Sequence, residues 1–148
     1  MTSVEPGVID TNVLVYAMDA DHPHHAATWA LLDAARNGST TLYVTAQILC
    51  EFYSIVTNPR RVLKPRSPAE AVAAISGMLA LLQILPGPAR VITTVIELLQ
   101  RHPVTSAGVF DVLSVSTMQT NDVRRIYTFN TADFEVFPEL TVVVPVAY

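Results

Sequence analysis

Cysteine is nearly missing from this 148-residue chain: Cys50 stands alone, which excludes an internal disulfide and fits a reducing compartment. Charge is scarce as well. Only 15% of the residues are charged against 51% hydrophobic, so part of the surface is expected to lie under a partner. No apolar run reaches the roughly 18 residues of a membrane span. The amino terminus lacks the basic region and apolar stretch of a secretory leader. These absences point to a cytoplasmic protein with no membrane segment. Positive charge is the scarcer sign, with nine Lys and Arg against thirteen Asp and Glu, for a net −4. That balance argues against strong sequence-independent binding of nucleic acid, yet leaves it open as a substrate where a bound metal or a basic patch reverses the local sign. Without repeats, low-complexity tracts or linkers, residues 1–148 are expected to form a single domain with a substantial core.

What is present is organised around Val8-Ile9-Asp10-Thr11-Asn12-Val13-Leu14-Val15-Tyr16. It begins as a short buried strand and changes period at Asp10, after which Val13, Tyr16 and Ala17 recur at helical spacing. Asp10 or Thr11 supplies a helix N-cap. Asp19 to His25 then reads as a polar loop, with Pro23 placed to open a helix through Trp29, Leu31, Leu32 and Ala35 that Gly38 stops. Thr40 to Thr45 is a second strand. Ala46 to Thr57 is helical and ends at Asn58-Pro59. Ser67-Pro68-Ala69-Glu70 is a capping box that predicts a helix to about Leu82. Ile84-Leu85 is a weak strand. Helices follow to about His102 and from Val109 to Thr120, then strands at Ile126–Phe129 and Thr141–Val144. Short apolar strands alternating with helices give an α/β fold, a parallel sheet of four to five strands with helices on both faces.

Three further acids stand in places that ask for a reason. Glu51 lies three residues after Ile48 and four before Ile55, on a stripe that should face the core. An ionised carboxylate there is costly without a cation or hydrogen-bond donors. Asp111 shares a stripe with Val115 and Met118 and also lies in the first turn of its helix, where the dipole favours negative charge. Asp133 follows the end of a buried strand, and sites in open α/β sheets form beyond such ends. Together with Asp10, four acids from four segments would meet at one mouth. Like charges so placed need a counter-ion, and oxygen donors without a His or Cys cluster select Mg²⁺ or Mn²⁺.

Asp10-Thr11-Asn12 after a short strand, Glu51 inside an apolar helix, Asp111 opening a late helix, and Thr128-Phe129-Asn130 with Asp133-Phe134 resemble the four motifs of PIN-domain ribonucleases. The resemblance covers almost the whole chain. Its size, and Asn58-Pro59-Arg60-Arg61-Val62 after the Glu51 helix, look most like the VapC toxins of type II toxin–antitoxin pairs. The resemblance implies a three-layer α/β/α domain with strand order 3-2-1-4-5, metal-dependent endonucleolytic cleavage of RNA, a homodimer, and inhibition by a cognate antitoxin. It carries catalytic and metal-binding roles onto Asp10, Glu51, Asp111 and Asp133. The sequence departs from the pattern at Asn130, where many relatives carry an acid. Asn130 is then either a neutral ligand or a hydrogen-bonding partner, with Asp133 supplying the charge. The rival is a catalytically idle module of the same fold whose acids bind a partner's arginines.

Other residues have plainer expectations. Thr11 is read as a hydroxyl steering a ligand carboxylate or a water, Asn12 as its neighbour in support, and Ser114 as a small polar residue tolerated in the core. Asp19, Asp21, His22, His24 and His25 are expected to form a solvated, helix-capping turn rather than a metal site. Arg60, Arg61, Lys64 and Arg66 form a basic loop that is solvated or touches substrate phosphate. Arg124-Arg125 is expected to cap a helix C-terminus, and Trp29 and Tyr53 to be core or interface aromatics.

Overall fold

The computed structural model describes residues 3–147. Five parallel strands, β1 (Gly7–Ile9), β2 (Leu42–Val44), β3 (Gln83–Ile84), β4 (Arg125–Tyr127) and β5 (Thr141–Val143), form one sheet in the order β3-β2-β1-β4-β5. The expected order holds, although each strand is only two or three residues long, shorter than its β-forming run. β1 lies at the centre and all three of its residues are buried. Gly7 is needed there, because a Cβ would come within 2.9 Å of the Arg125 carbonyl oxygen on β4.

The helices are α1 (Thr11–Ala17), α2 (His25–Arg36), α3 (Ala46–Val56), α4 (Pro68–Leu79), α5 (Val91–Arg101) and α6 (Gly108–Thr120). α1 packs on α2 and α3, and α3 on α4, while α5 packs on α6. The crossovers after β1 and β2 run one way along the sheet, and the crossover after β3 runs back. With right-handed connections, the first four helices cover one face and the last two the other. The core fills the space between the layers with Val8, Ile9, Leu14, Phe52, Leu98, Met118 and Ile126, all essentially inaccessible.

Several expectations need correction. α2 starts at His25, two residues past Pro23, because residues 20–24 are drawn into turns. α4 ends at Leu79 rather than near Leu82; the chain turns there so that Leu82 enters the core. Arg124-Arg125 caps no helix, since Arg125 belongs to β4. The carbonyl of Thr120 at the end of α6 accepts instead from Arg90 Nη2 at 3.1 Å. Trp29 is half-buried with Nε1 donating to the Ala17 carbonyl at 3.1 Å, and Tyr53 is half-buried against the core. Among the described residues no helix is long and apolar enough to cross a membrane.

Candidate active site

Strand order reverses between β1 and β4, and the carboxyl ends of these two strands open the crevice where sites form in such sheets. Asp10 stands at the end of β1. Its backbone N–H donates to the Tyr127 carbonyl at 3.0 Å, which ties it to β4. Its carboxylate is held on both oxygens: Oδ1 accepts from Thr11 N at 2.8 Å, and Oδ2 accepts from Thr128 Oγ1 at 2.8 Å and Asn12 Nδ2 at 3.0 Å. Asp10 is therefore the N-cap of α1 and something more, because a cap uses one oxygen and this side chain fastens three segments. Asn12 completes the fastening. Its Oδ1 accepts from Phe129 N at 3.1 Å and its Nδ2 also donates to Thr128 Oγ1 at 3.2 Å. Thr128 is fully buried. Nothing local in the sequence marks Thr128 for this role; only the fold brings its hydroxyl to Asp10.

Glu51 arrives from the middle of α3, which starts with Thr45 as N-cap. It is half-buried. Gln47 Nε2, one turn earlier, donates to Oε1 at 2.7 Å, and Thr11 Oγ1 donates to Oε2 at 3.2 Å. The predicted carboxylate on an apolar stripe is thus supplied with donors from Gln47 and Thr11. Thr11, buried, joins Asp10 to Glu51: its N–H serves one carboxylate and its hydroxyl the other. Ser114 is buried, as expected of a small polar core residue.

Asp111 lies in the first turn of α6 on the opposite layer, half-buried, with Val115 and Met118 of its stripe in the core. Burial, with help from the charges of Asp10, Asp133 and Glu51, pushes its carboxyl up to about 7. Asp10 is also raised, chiefly by burial; the bonds from Thr128 and Thr11 oppose this, and Glu51 and Asp133 add repulsion. Asp133 is exposed on a single 3₁₀ turn (Thr131–Asp133) that follows β4. Asn130 precedes that turn, exposed, with its backbone N–H donating to Thr128 Oγ1 at 3.0 Å.

The charges of Glu51 and Asp133 thus act on both Asp10 and Asp111. None of the ion pairs among the described residues involves any of them. Nor are any three His, Cys, Asp or Glu side chains among the described residues drawn together closely enough to hold an ion as they stand. The acids share an electrostatic environment without forming a closed shell, an arrangement that mutual repulsion favours.

The other singled-out residues lie nearby but do not join them. His24 is the N-cap residue of α2, though its side chain makes no capping bond, and His22 Nδ1 accepts from His24 N at 3.0 Å within the turn. The His22 and His24 rings stack instead against Tyr16 and Phe129, and His25 Nδ1 lies 3.0 Å from the Tyr16 carbonyl oxygen. In the basic loop, Arg66 Nη2 donates to the Met18 carbonyl at 2.7 Å and Nη1 lies 3.8 Å from Glu70 Oε2, so this arginine helps hold the end of α1. Lys64 lies 4.0 Å from Asp21 with both side chains exposed, and Arg60 and Arg61 are exposed.

A family model described as PIN domain matches residues 7–140. Ribonuclease VapC43 of Mycobacterium tuberculosis is 39% identical over 72 residues, a stretch covering 49% of this chain and 49% of the relative; the match thus spans about half the relative's length. Ribonuclease VapC13 of the same organism is 27% identical over 134 residues, 88% of this chain and 94% of the relative. Among solved structures, VapBC2 from Rickettsia felis bound to promoter DNA superposes with a TM-score of 0.67 at 19% identity, covering 95% of this chain and 98% of that one. VapC20 of Mycobacterium tuberculosis, a toxin cleaving the sarcin-ricin loop, gives 0.67 at 18% identity, covering 88% and 94%.

Proposed function

The chain belongs to the PIN-domain family, and from that premise we propose that it is a metal-dependent endoribonuclease, acting as one domain and as the toxic partner of a toxin–antitoxin pair. One observation carries the reading: near the switch point of the sheet the charges of Glu51 and Asp133 act on both Asp10 and Asp111, and none of these four carboxylates, from four separate segments, is in an ion pair among the described residues. The donors at hand are carboxylate and hydroxyl oxygens with no sulfur or imidazole, a set that fits Mg²⁺ or Mn²⁺. Held by these acids, such an ion would supply an acidified water and a positive charge opposite a phosphodiester.

The chain's own residues divide the remaining work. Asn12, Thr128 and Thr11 fix the direction of the Asp10 carboxylate, as Gln47 and Thr11 fix that of Glu51, so both face the mouth without needing to reorganise. Asp111 makes no hydrogen bond to its side chain among the described residues, which leaves it free to orient the attacking water. Asp133 adds the fourth charge from the turn after β4, and Asn130 supports that turn. The antitoxin and a second copy of the chain are the protein partners this reading carries. VapBC assemblies among the similar structures support an antitoxin, and so do the apolar side chains left exposed on α4, β3 and α5 (Val72, Leu79, Ile84, Ile92 and Ile96).

The test is incubation of the purified, antitoxin-free protein with single-stranded RNA. Cleavage in Mg²⁺ or Mn²⁺ that stops in EDTA is expected. A folded protein that cleaves nothing with either ion would speak for the idle binding module.

A further inference from the structure

The turns between α1 and α2 are knitted together and fastened to α1. His22 N donates to the Asp19 carbonyl at 3.1 Å, His24 N donates to His22 Nδ1, and His25 Nδ1 meets the Tyr16 carbonyl. The imidazoles of this segment close a circuit of four rings. Tyr16 of α1 stacks on His22 with 3.8 Å between centroids and 10° between planes. His22 lies 5.3 Å from His24, His24 stacks on Phe129 at 4.1 Å and 12°, and Phe129 returns to Tyr16 at 5.4 Å and 53°. The rings are packed on one another, so the cluster holds segments together.

Phe129 is where this packing reaches the acids. β4 ends at Tyr127, and the chain beyond it leaves the sheet to carry Asp133 on its 3₁₀ turn. Phe134, buried in the core, anchors the far side of that turn. On the near side the Phe129 N–H donates to Asn12 Oδ1 at 3.1 Å, and Asn12 Nδ2 donates to Asp10 Oδ2 at 3.0 Å. One side chain therefore ties Phe129 to α1 and aims the Asp10 carboxylate. Repulsion between Asp133 and Asp10 acts across this connection, and a second hold on Phe129 opposes it. The ring of Phe129 supplies that hold, gripped between Tyr16 on α1 and His24 on the turn.

We propose that His24 is a positioning residue of the active site. Its ring clasps Phe129 against α1 and so keeps the link from Phe129 through Asn12 to Asp10 in place, together with the turn that bears Asp133. The His24 side chain makes no hydrogen bond among the described residues, so what it contributes is a flat face. The proposal rests on the endoribonuclease reading and adds to it a residue that acts through another side chain.

The experiment compares the intact wild type with His24→Ala and His24→Phe, first metal-free by amide exchange in NMR, then by Mn²⁺ uptake and RNA cleavage. His24 is exposed, and circular dichroism should be unchanged in both variants. His24→Ala should quicken exchange of the Phe129 N–H about threefold to tenfold, the range one aromatic pair supplies. It should also weaken Mn²⁺ uptake and, with Mn²⁺ below saturation, lower kcat for a short single-stranded RNA. KM for the RNA should stay as it is, because the ring holds Phe129 and not the strand. His24→Phe keeps a flat ring and should restore all three. Unchanged Phe129 exchange in His24→Ala would mean that the stack holds nothing. A raised KM with kcat intact would make His24 an RNA contact, and failure of His24→Phe to rescue would make an imidazole nitrogen the operative group. Each of these overturns the proposal. Failure of the underlying reading looks different: a wild type that takes up no Mn²⁺ and cleaves no RNA refutes the endoribonuclease and the positioning role with it, and the exchange result then decides the clasp alone.

Discussion

Asp111 keeps its proton up to about 7 because it is half-buried among like charges, whereas in an unfolded chain it would release it near 3.8. Between those pH values the folded state binds the extra proton, so stability must fall as pH rises through the window and level off on either side. Asp10, raised in the same sense, adds to the slope. Thermal melts of the metal-free protein from pH 5 to 7.5 should show this decline, and Asp111→Asn should flatten it. A wild-type melting temperature that climbs over that range would contradict the burial and repulsion described for the site. Asp133 and Asn130 are told apart by a related argument. Asp133→Asn removes one repelling charge, so the metal-free protein should melt no lower than wild type, while its gain on adding Mn²⁺ shrinks. A full gain is about 2.7 kcal/mol when free metal is a hundredfold above its dissociation constant. Asn130→Ala removes no charge and should leave most of the response. The reverse pattern would transfer the fourth ligand to Asn130.

Among the elements, α4 shows what a sequence can specify locally. Ser67 Oγ accepts from Glu70 N at 3.1 Å while Glu70 Oε1 accepts from Ser67 N at 3.0 Å, the reciprocal box that the four residues announce. Ser67→Ala should cost about 1 kcal/mol, read as a melting temperature lowered by roughly 2–4 °C. A cost indistinguishable from zero would mean that packing of Ala71 and Met78 alone holds the helix. The far end of α4 was less legible, because Ala80 to Leu82 are as apolar as the helix and only tertiary packing of Leu82 decides where it stops. The same limit divides the site. Glu51 and Asp111 were visible because a carboxylate on an apolar stripe breaks a periodic pattern, and Asp10 because the period itself changes there from strand to helix. Thr128 was passed over since a threonine in a strand breaks none. The rings of Tyr16, His22, His24 and Phe129 come from three segments, and nothing local in the sequence says that they touch.

The whole molecule carries two features that its parts do not explain. It is acidic, yet its mouth is lined by acids, and several large apolar side chains stay exposed on a surface with few charges. A partner that covers those side chains accounts for the second. Sedimentation over a wide concentration range should find a dimer, and a larger complex when the antitoxin is added; a strict monomer in both conditions would remove the partner argument. The first feature is the centre of the account, which holds that the acids share one hard cation. Titration of the protein with Mn²⁺, following the resonance of the free ion, tests this without any substrate. The wild type should take up Mn²⁺, and Asp10→Asn and Asp111→Asn, on opposite layers of the fold, should each weaken uptake by more than about tenfold while circular dichroism stays unchanged. Folded protein that takes up no Mn²⁺ at millimolar concentration, or that takes it up equally well with either acid removed, would contradict the shared site.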